Sequence, residues 1–480
     1  MSRRTALLAA ALLLGAAAAR AAPTQPCRIE GVATELACGR LLRPLDPARP
    51  EGPQIALHYL VVPALARNKK PDPVLLLAGG PGQSAIGVAA GLLPRLARLN
   101  HRRDLVFIDQ RGSGRSAPLD CPDESRLPLA EALDPRAQLQ RLRDCQTALQ
   151  RLPHGDLRRF TTSIAVQDFD AVRAQLGVAR WNLIGASYGT RAALEYQRQF
   201  PQRVRRAVLD GVAPPDMALP ASFSTDGQAA LDALLLACER ETACRRRFPA
   251  LRTQWQGLLA SLPRPVQVAH PLSGTPQRFT LTREMLLRGV RAPLYLPALA
   301  AALPTAIEMA ARQDRFEGLI GLSGLVGGDR RQRLASGLHF SVVCAEDLPR
   351  LAASRDAPGA DFGDLDTRFY AEVCKTWPRG EVPAAFYTLP PARSPVLLLS
   401  GGADPATPPR HGARVAAALG PLARHLVVPE AGHGVLALAC MHEPLLRFID
   451  STDERAALQL DGACARRIPR PGAFLPPTLP

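Results

Sequence analysis

One short segment restricts the possible folds of this chain more than any other: an apolar run at 181–184 that ends in G-A-S-Y-G, with Ser187 at its centre. The apolar run predicts a buried strand, and the segment 190–200 predicts a helix. A strand can turn this sharply into a helix only where side chains are absent, and Gly185 and Gly189 provide such positions. Ser187 is therefore expected at the carboxyl end of the strand, facing the free N–H groups of the helix start.

Other apolar runs predict further strands of the same sheet. A continuous apolar run is typical of a parallel strand buried on both faces, whereas the alternating run at 54–62 fits an edge hairpin. Helical periods at 135–152 and 164–176 separate two of the strands, which indicates parallel pairing through right-handed crossovers. The fold class is therefore α/β, with a mostly parallel, doubly wound sheet. The predicted buried strands are 73–78, 104–109, 181–184, 206–210, 395–400 and 425–428.

The alternation of strands and helices stops after residue 215, and it resumes near residue 390. The chain is therefore expected to divide into a first core part at 22–215, an inserted helical cap at 216–389 and a second core part at 390–480. The helices predicted in the cap are 228–239, 252–262, 283–288, 296–313 and 315–322.

Three residues suited to acyl transfer each follow a predicted buried strand: Ser187, Asp404 and His433. A serine hydroxyl is a weak nucleophile, so a histidine must accept its proton while a carboxylate orients the imidazole and stabilises its charged form. Asp210, at the end of the strand after Ser187, is the second candidate for the acid. The backbone N–H of Tyr188 and that of Gly80, in the glycine-rich loop 79–82, are the expected oxyanion donors.

The amino-terminal segment 1–21 has the pattern of a secretory signal: two arginines, an alanine and leucine run, and A-R-A at its end. Export implies an oxidising compartment, so the ten cysteines are expected to form disulfides between sequential neighbours. Histidines do not cluster with the cysteines, and no metal site, cofactor or membrane span is predicted. The expected pairs are Cys27 with Cys38, Cys121 with Cys145, Cys238 with Cys244, Cys344 with Cys374, and Cys440 with Cys464.

The formal net charge of +16 comes from arginines that are scattered singly and in pairs. Such scattering does not predict a nucleic-acid partner, which would favour blocks of basic residues. The loop after the run 73–78 also lacks the G-K-[ST] that a phosphate-binding loop requires.

Several motifs together resemble the prolyl and tripeptidyl aminopeptidase branch of the α/β-hydrolases, serine peptidase family S33. The motifs are G-G-P-G at 79–82, D-Q-R-G-S-G-R-S at 109–116, G-A-S-Y-G-T-R at 185–191, A-D-P-A-T-P-P at 403–409 and G-H-G at 432–434. The chain looks most like exported bacterial members with a tripeptidyl-aminopeptidase-like (TAP-like) region at the carboxyl end. It departs from many relatives at Ala78, where they have histidine before G-G-P-G.

The resemblance implies an α/β-hydrolase fold and a serine hydrolase that releases residues from peptide N-termini. Two alternatives remain open: a carboxylesterase or amidase with the same triad, and a binding protein with a hydrolase fold. An aminopeptidase needs a carboxylate for the free amine of its substrate. Glu346, and after it Asp347, are the candidates, because they end a short apolar run at 341–347 beside Cys344. The alternative is that both acids are solvated or cap a turn.

Overall fold

The computed structural model describes residues 23–324 and 334–475. The predicted signal segment 1–21 lies outside these residues. Within the described ranges, nine strands form the central sheet, and two more form a separate antiparallel hairpin. The strands are β1 Thr24–Cys27, β2 Leu36–Pro44, β3 Gln54–Val62, β4 Val74–Leu77, β5 Leu105–Ile108, β6 Trp181–Ala186, β7 Val204–Asp210, β8 Arg264–Ala269, β9 Pro276–Leu281, β10 Val396–Gly401 and β11 Ala423–Val428.

The helices follow the strands closely in the first and last parts of the chain and dominate its middle. They are α1 Ala85–Asn100, α2 Leu129–Ala132, α3 Pro135–Leu149, α4 Thr162–Gln175, α5 Tyr188–Gln199, α6 Leu219–Arg240, α7 Thr242–Arg247, α8 Leu251–Ala260, α9 Arg283–Arg291, α10 Pro297–Ala300, α11 Leu303–Gln313, α12 Glu317–Gly324, α13 Ser336–Glu346, α14 Leu365–Cys374, α15 Pro409–Leu419, α16 His442–Asp450, α17 Glu454–Leu458 and α18 Ala463–Arg466.

The sheet is antiparallel at one end and parallel over the rest. Its strand order is β1-β2-β3-β5-β4-β6-β7-β10-β11, with parallel pairing from β5 to β11. The predicted strands all lie in this sheet, and the mostly parallel, doubly wound arrangement is confirmed. One detail differs, because β3 pairs with both β2 and β5 and is therefore interior, while β1 forms the edge.

Side chains that alternate along the parallel strands build a hydrophobic core on each face of the sheet. Leu75 and Leu77 of β4 pack in one core, with α3, α4, α5 and α15. Val74 and Leu76 pack in the other, with α1 and α16. A strand buried on both faces must be apolar at successive positions, which explains the continuous runs in the sequence.

The segment between β7 and β10 contains a third hydrophobic core that is built from α6 to α12 and the β8–β9 hairpin. The hairpin was missed, although Val266 and Val268 alternate with polar residues as a half-buried strand requires. The single helix predicted at 296–313 is interrupted, since α10 ends at Ala300 and α11 begins at Leu303.

The apolar run at 341–347 was expected to end in two acids that face the substrate or the solvent. In the structure, most of this run belongs to helix α13. It is buried along nearly its whole length, and its Leu338, Val342 and Cys344 pack in the same core as α4 and α5. A helix that is apolar on all sides is stable only when it is surrounded by protein. This part of the predicted cap therefore packs directly against the core of the sheet domain.

All ten cysteines lie within the described residues and pair as sequential neighbours, in the five bonds expected from the sequence. Among the described helices, none combines the length and apolar character needed to cross a bilayer. The described residues contain no cluster of three or more histidine, cysteine or acidic side chains arranged to hold a metal ion.

Candidate active site

Ser187 lies between the end of β6 and the start of α5, in a strained backbone conformation. Its φ is +55° and its ψ is −123°, a region that residues with a side chain seldom adopt. The turn is also tightly packed: a Cβ at Gly185 would lie 2.4 Å from the carbonyl oxygen of Gly189, and one at Gly189 would lie 2.1 Å from that of Leu77. Glycine is therefore required at both positions, and Ser187 remains partly exposed.

Two neighbouring strands hold the loops around Ser187. The Ser187 N–H donates to the Asp210 carbonyl at the end of β7, at 2.8 Å. The loop after β4 lies on the other side, since a Cβ at Gly79 would be 3.2 Å from the Cβ of Ser187. The predicted oxyanion donors are the backbone N–H groups of Tyr188 and Gly80. Neither donates a hydrogen bond to an acceptor within residues 23–324 and 334–475.

Asp404 and His433, which follow β10 and β11, form a hydrogen-bonded pair. The Nδ1 of His433 donates to Oδ2 of Asp404 at 2.8 Å, which leaves Nε2 as the nitrogen that can accept a proton. The Asp404 carboxylate also accepts the N–H groups of Ala406 and Thr407 and the Thr407 hydroxyl. These bonds fix the carboxylate in one orientation.

The two partners shift each other's pKa in opposite directions. Burial alone would raise the pKa of Asp404, but the charge and hydrogen bond of His433 and the two N–H donors hold it below its ordinary value. Burial alone would lower the pKa of His433, but Asp404, with a smaller contribution from Asp210, raises it above 6.5. The pair therefore favours an anionic Asp404 and stabilises the imidazolium.

Asp210, the second candidate for the acid, has a different set of partners. Its oxygens accept the N–H groups of Val435 and Leu436, at 2.8 and 2.9 Å. Burial raises the pKa of Asp210 to about 6, against the effect of these two donors. Asp210 thus anchors the segment that follows His433, whereas Asp404 is the carboxylate bonded to the imidazole.

Glu346 and Asp347 differ from the expectation of carboxylates that project toward the substrate, because both are fully buried and engaged. Asp347 forms a two-pronged ion pair with Arg191 of α5, with both N–O distances at 2.9 Å. Glu346 accepts the backbone N–H and the hydroxyl of Thr162, at 2.7 and 2.9 Å. A buried charge needs such partners, and helix α13 places both acids against α4 and α5.

A chain of hydrogen bonds connects Glu346 to Tyr188, the residue after Ser187. The Thr162 hydroxyl donates its only hydrogen to Glu346, so the Tyr188 hydroxyl must donate to Thr162, at 2.6 Å. The amide of Gln110 donates to the Tyr188 hydroxyl at 3.1 Å. Burial, with the Glu346 charge, raises the pKa of Tyr188, and burial raises that of Glu346 to about 7. We call Gln110, Tyr188, Thr162 and Glu346 the elbow network.

Sequence reasoning missed several residues around the site. Thr407 contacts both Asp404 and the His433 Nδ1. It lies in the A-D-P-A-T-P-P motif, in which an aspartate side chain commonly accepts hydrogen bonds from the turn that follows it. Tyr295 packs edge-on against the His433 ring, with ring centroids 5.1 Å apart, and its carbonyl accepts the His433 N–H. No sequence pattern around Tyr295 indicates this contact.

Comparison with known families agrees with the sheet topology. The model of the α/β-hydrolase fold family matches residues 72–280, and the model of the TAP-like protein family matches residues 362–460. The chain has the α/β-hydrolase fold. Its TAP-like match begins before the predicted boundary at residue 390 and includes Asp404 and His433.

The chain is similar over part of its length to named peptidases. Serine protease Hip1 of Mycobacterium tuberculosis is 32% identical over 206 residues, which are 40% of this chain and 39% of that protein. Tripeptidyl aminopeptidase of Streptomyces coelicolor is 33% identical over 195 residues, or 37% of this chain and 35% of that protein. The matched part thus spans under two fifths of each relative. A solved proline iminopeptidase of Mycobacterium smegmatis aligns at 16% identity with a TM-score of 0.39, covering 88% of this chain and 98% of that one.

Proposed function

We propose that this protein is a serine peptidase with an α/β-hydrolase fold. We propose further that it is an exported aminopeptidase that releases N-terminal residues, one prolyl-type residue or a tripeptide, through an acyl-enzyme on Ser187. The observation that carries the proposal is the hydrogen bond of 2.8 Å between His433 and Asp404, and the strained backbone of Ser187 at the β6–α5 turn supports it. The names of the relatives, a serine protease and a tripeptidyl aminopeptidase, support the choice of peptides as substrates.

In the proposed reaction, Ser187 Oγ attacks the peptide carbonyl while Nε2 of His433 takes the hydroxyl proton. Asp404 stabilises the imidazolium, and the N–H groups of Tyr188 and Gly80 bind the oxyanion. The imidazolium then protonates the leaving amine, which yields the acyl-enzyme. Water repeats the same steps, with its proton passing to His433 and back to Ser187.

Export is part of the proposal. The segment 1–21 has the pattern of a secretory signal, and disulfides such as these five typically form and persist in an oxidising compartment such as the periplasm or the medium. The expected substrates are therefore extracellular or periplasmic peptides.

A second candidate function, a carboxylesterase or amidase, is favoured by one specific observation. The two carboxylates expected to bind a substrate amine, Glu346 and Asp347, are buried and paired with protein groups. Hydrolysis of small esters requires no such carboxylate, and the same triad supports it.

A substrate panel separates the two candidates. Aminoacyl, prolyl and tripeptidyl p-nitroanilides, each with a free or an acetylated N-terminus, are compared with short-chain p-nitrophenyl esters. An aminopeptidase should cleave the free peptides about tenfold or more faster, because a charge-assisted bond to the ammonium contributes roughly 1.5–3 kcal/mol. Equal or faster cleavage of acetylated peptides contradicts the aminopeptidase and leaves the esterase or amidase.

A further inference from the structure

A cavity of about 760 Å³ extends from the candidate active site into the body of the fold. Gly79, Ala186 and His433 line its end near the site, and Val88 and Leu92 of α1 line its wall farther away. Ala186 directly precedes Ser187 and is exposed, although the rest of β6 is buried. The volume lies within the range of about 300–1,000 Å³ that is typical of small-molecule sites. We call this space the α1 cavity.

Small residues on one helix leave this space open. Ala85, Gly87, Ala90 and Gly91 of α1 all line the α1 cavity. A Cβ placed on Gly91 would meet no heavy atom within 4 Å. Glycine inside a helix costs roughly 1 kcal/mol relative to alanine, so these glycines do not serve the stability of α1.

The lining is mostly apolar, and its polar side chains are Gln83, Asp210 and His433 near the site and Arg95 on α1. Leu76, Leu92 and Leu436 contribute aliphatic surface, whereas Gln83, Asp210 and His433 contribute the polar atoms near the site. Binding of an apolar group to such a surface is favourable, because it removes the apolar surface of both partners from water. The polar end coincides with the place where the reacting carbonyl would lie.

We infer that the α1 cavity binds an apolar group on the acyl half of the substrate, either the side chain of the residue whose carbonyl Ser187 attacks or the alkyl chain of an acyl ester. This inference rests on the proposed function. The acyl half stays attached to Ser187 until water releases it, so a cavity that starts beside Ser187 can hold it through both steps. The leaving half departs after the first step, so a site that holds its group through both steps must bind the acyl half.

Filling the cavity tests this assignment. Gly91→Phe places a large ring at an open position of α1, and Val88→Trp, one turn away, narrows the same space. Gly257→Phe is the matched control, because Gly257 is also an exposed helical glycine whose Cβ would meet nothing within 4 Å, but in α8. The readout is the ratio of kcat/KM for a leucyl over an alanyl residue before the scissile bond, and for p-nitrophenyl octanoate over acetate.

In the wild-type protein, kcat/KM should be at least tenfold higher for the larger acyl group, since a few methylenes bound in an apolar pocket contribute discrimination of that size. Gly91→Phe and Val88→Trp should each lower the ratio about tenfold or more, and Gly257→Phe should leave it unchanged. An unchanged ratio in both cavity variants overturns the inference. A different outcome is that the variants change kcat/KM according to the size of the alcohol in a series of acetate esters, and not according to the length of the acyl chain. That result overturns the assignment to the acyl half.

A binding experiment separates this inference from the proposed function. The fluorescent probe 8-anilinonaphthalene-1-sulfonate is titrated into Ser187→Ala protein, which needs no turnover. Its dissociation constant should rise at least fivefold when Gly91→Phe is added and stay constant when Gly257→Phe is added. Equal binding by both variants excludes the cavity as an apolar site, whatever the protein hydrolyses. Probe binding as expected, without turnover of any ester or amide, contradicts the proposed function alone.

Discussion

Ser187 adopts a conformation that costs about 1–3 kcal/mol in an ordinary residue, so the surrounding structure must enforce it. The Ser187 N–H is bonded to the Asp210 carbonyl, and the glycines on either side allow the β6–α5 turn to pack against β4. The strain holds the hydroxyl at the partly exposed end of the strand. For the proposed nucleophile this arrangement is pre-organised, because no rearrangement of the backbone is needed to present the Ser187 hydroxyl.

The roles of the two buried aspartates can be separated by isosteric substitution. Asp404→Asn should lower kcat by about four orders of magnitude, because the amide holds His433 in the wrong tautomer. Asp210→Asn removes no contact with the imidazole. The factor by which it lowers kcat should therefore be at least a hundredfold smaller than the factor for Asp404→Asn. Steady-state kinetics of the two variants on the best p-nitroanilide decide the matter. The reverse ranking assigns the acid to Asp210.

The pH dependence of kcat/KM follows from the raised pKa of His433. The imidazole must be neutral to accept the Ser187 proton, so activity should be lost as the pH falls through this pKa. The midpoint of this acidic limb should lie above 6.5, because the negative charge of Asp404 stabilises the imidazolium. Rates measured between about pH 5 and pH 9 test this. A midpoint at or below 6.5 contradicts the described electrostatics.

At the scale of elements, α13 connects the middle segment of the chain to the helices around the elbow. Glu346 receives the first N–H of α4, where a carboxylate is favoured by the helix dipole, and Asp347 binds Arg191 of α5. Through Thr162 the same carboxylate orients the Tyr188 side chain. The elbow is therefore held from both the sheet side and the α13 side.

The elbow network should contribute to the rate rather than only to folding. Thr162→Val keeps the shape of the side chain but removes the hydroxyl between Tyr188 and Glu346. We expect kcat to fall about tenfold, as for the loss of one hydrogen bond, with a smaller change in KM. Thr147→Val is the control, since its exposed hydroxyl bonds only a carbonyl within α3. Equal effects of both substitutions would limit the network to a structural role.

The disulfides of the molecule differ in how directly they support the candidate active site. Cys344–Cys374 joins α13 to α14, whereas Cys27–Cys38 joins two strands at the edge of the sheet. Replacing either pair by alanine should destabilise the protein by roughly 2–4 kcal/mol. Only loss of Cys344–Cys374 should also reduce kcat, because α13 carries Glu346. Denaturant unfolding and kinetics of both double variants check this, and an equal loss of kcat contradicts it.

The sequence predicts most of the sheet because the strands buried on both faces are continuous apolar runs. Strand β11 differs from the prediction of a buried strand, because it lies at the edge of the sheet and is partly exposed. Each candidate catalytic residue follows the end of a predicted strand within a short loop. The surroundings of Glu346 and Asp347 were not predictable. Their partner Arg191 is 156 residues from Asp347 along the chain, and only the fold brings the two together. The β8–β9 hairpin could have been predicted, since the alternation of apolar and polar residues in β8 is visible in the sequence. The contact between Tyr295 and His433 leaves no local pattern.

The central claim, that Ser187 is the nucleophile activated by His433, is tested most directly by covalent labelling with a fluorophosphonate. Such a reagent phosphonylates only a serine whose hydroxyl is activated by a neighbouring base. Mass spectrometry of the digested protein should find one label, on the peptide that contains Ser187, and none in Ser187→Ala or His433→Ala. An unlabelled wild-type protein, or a label on a different serine, would contradict the account.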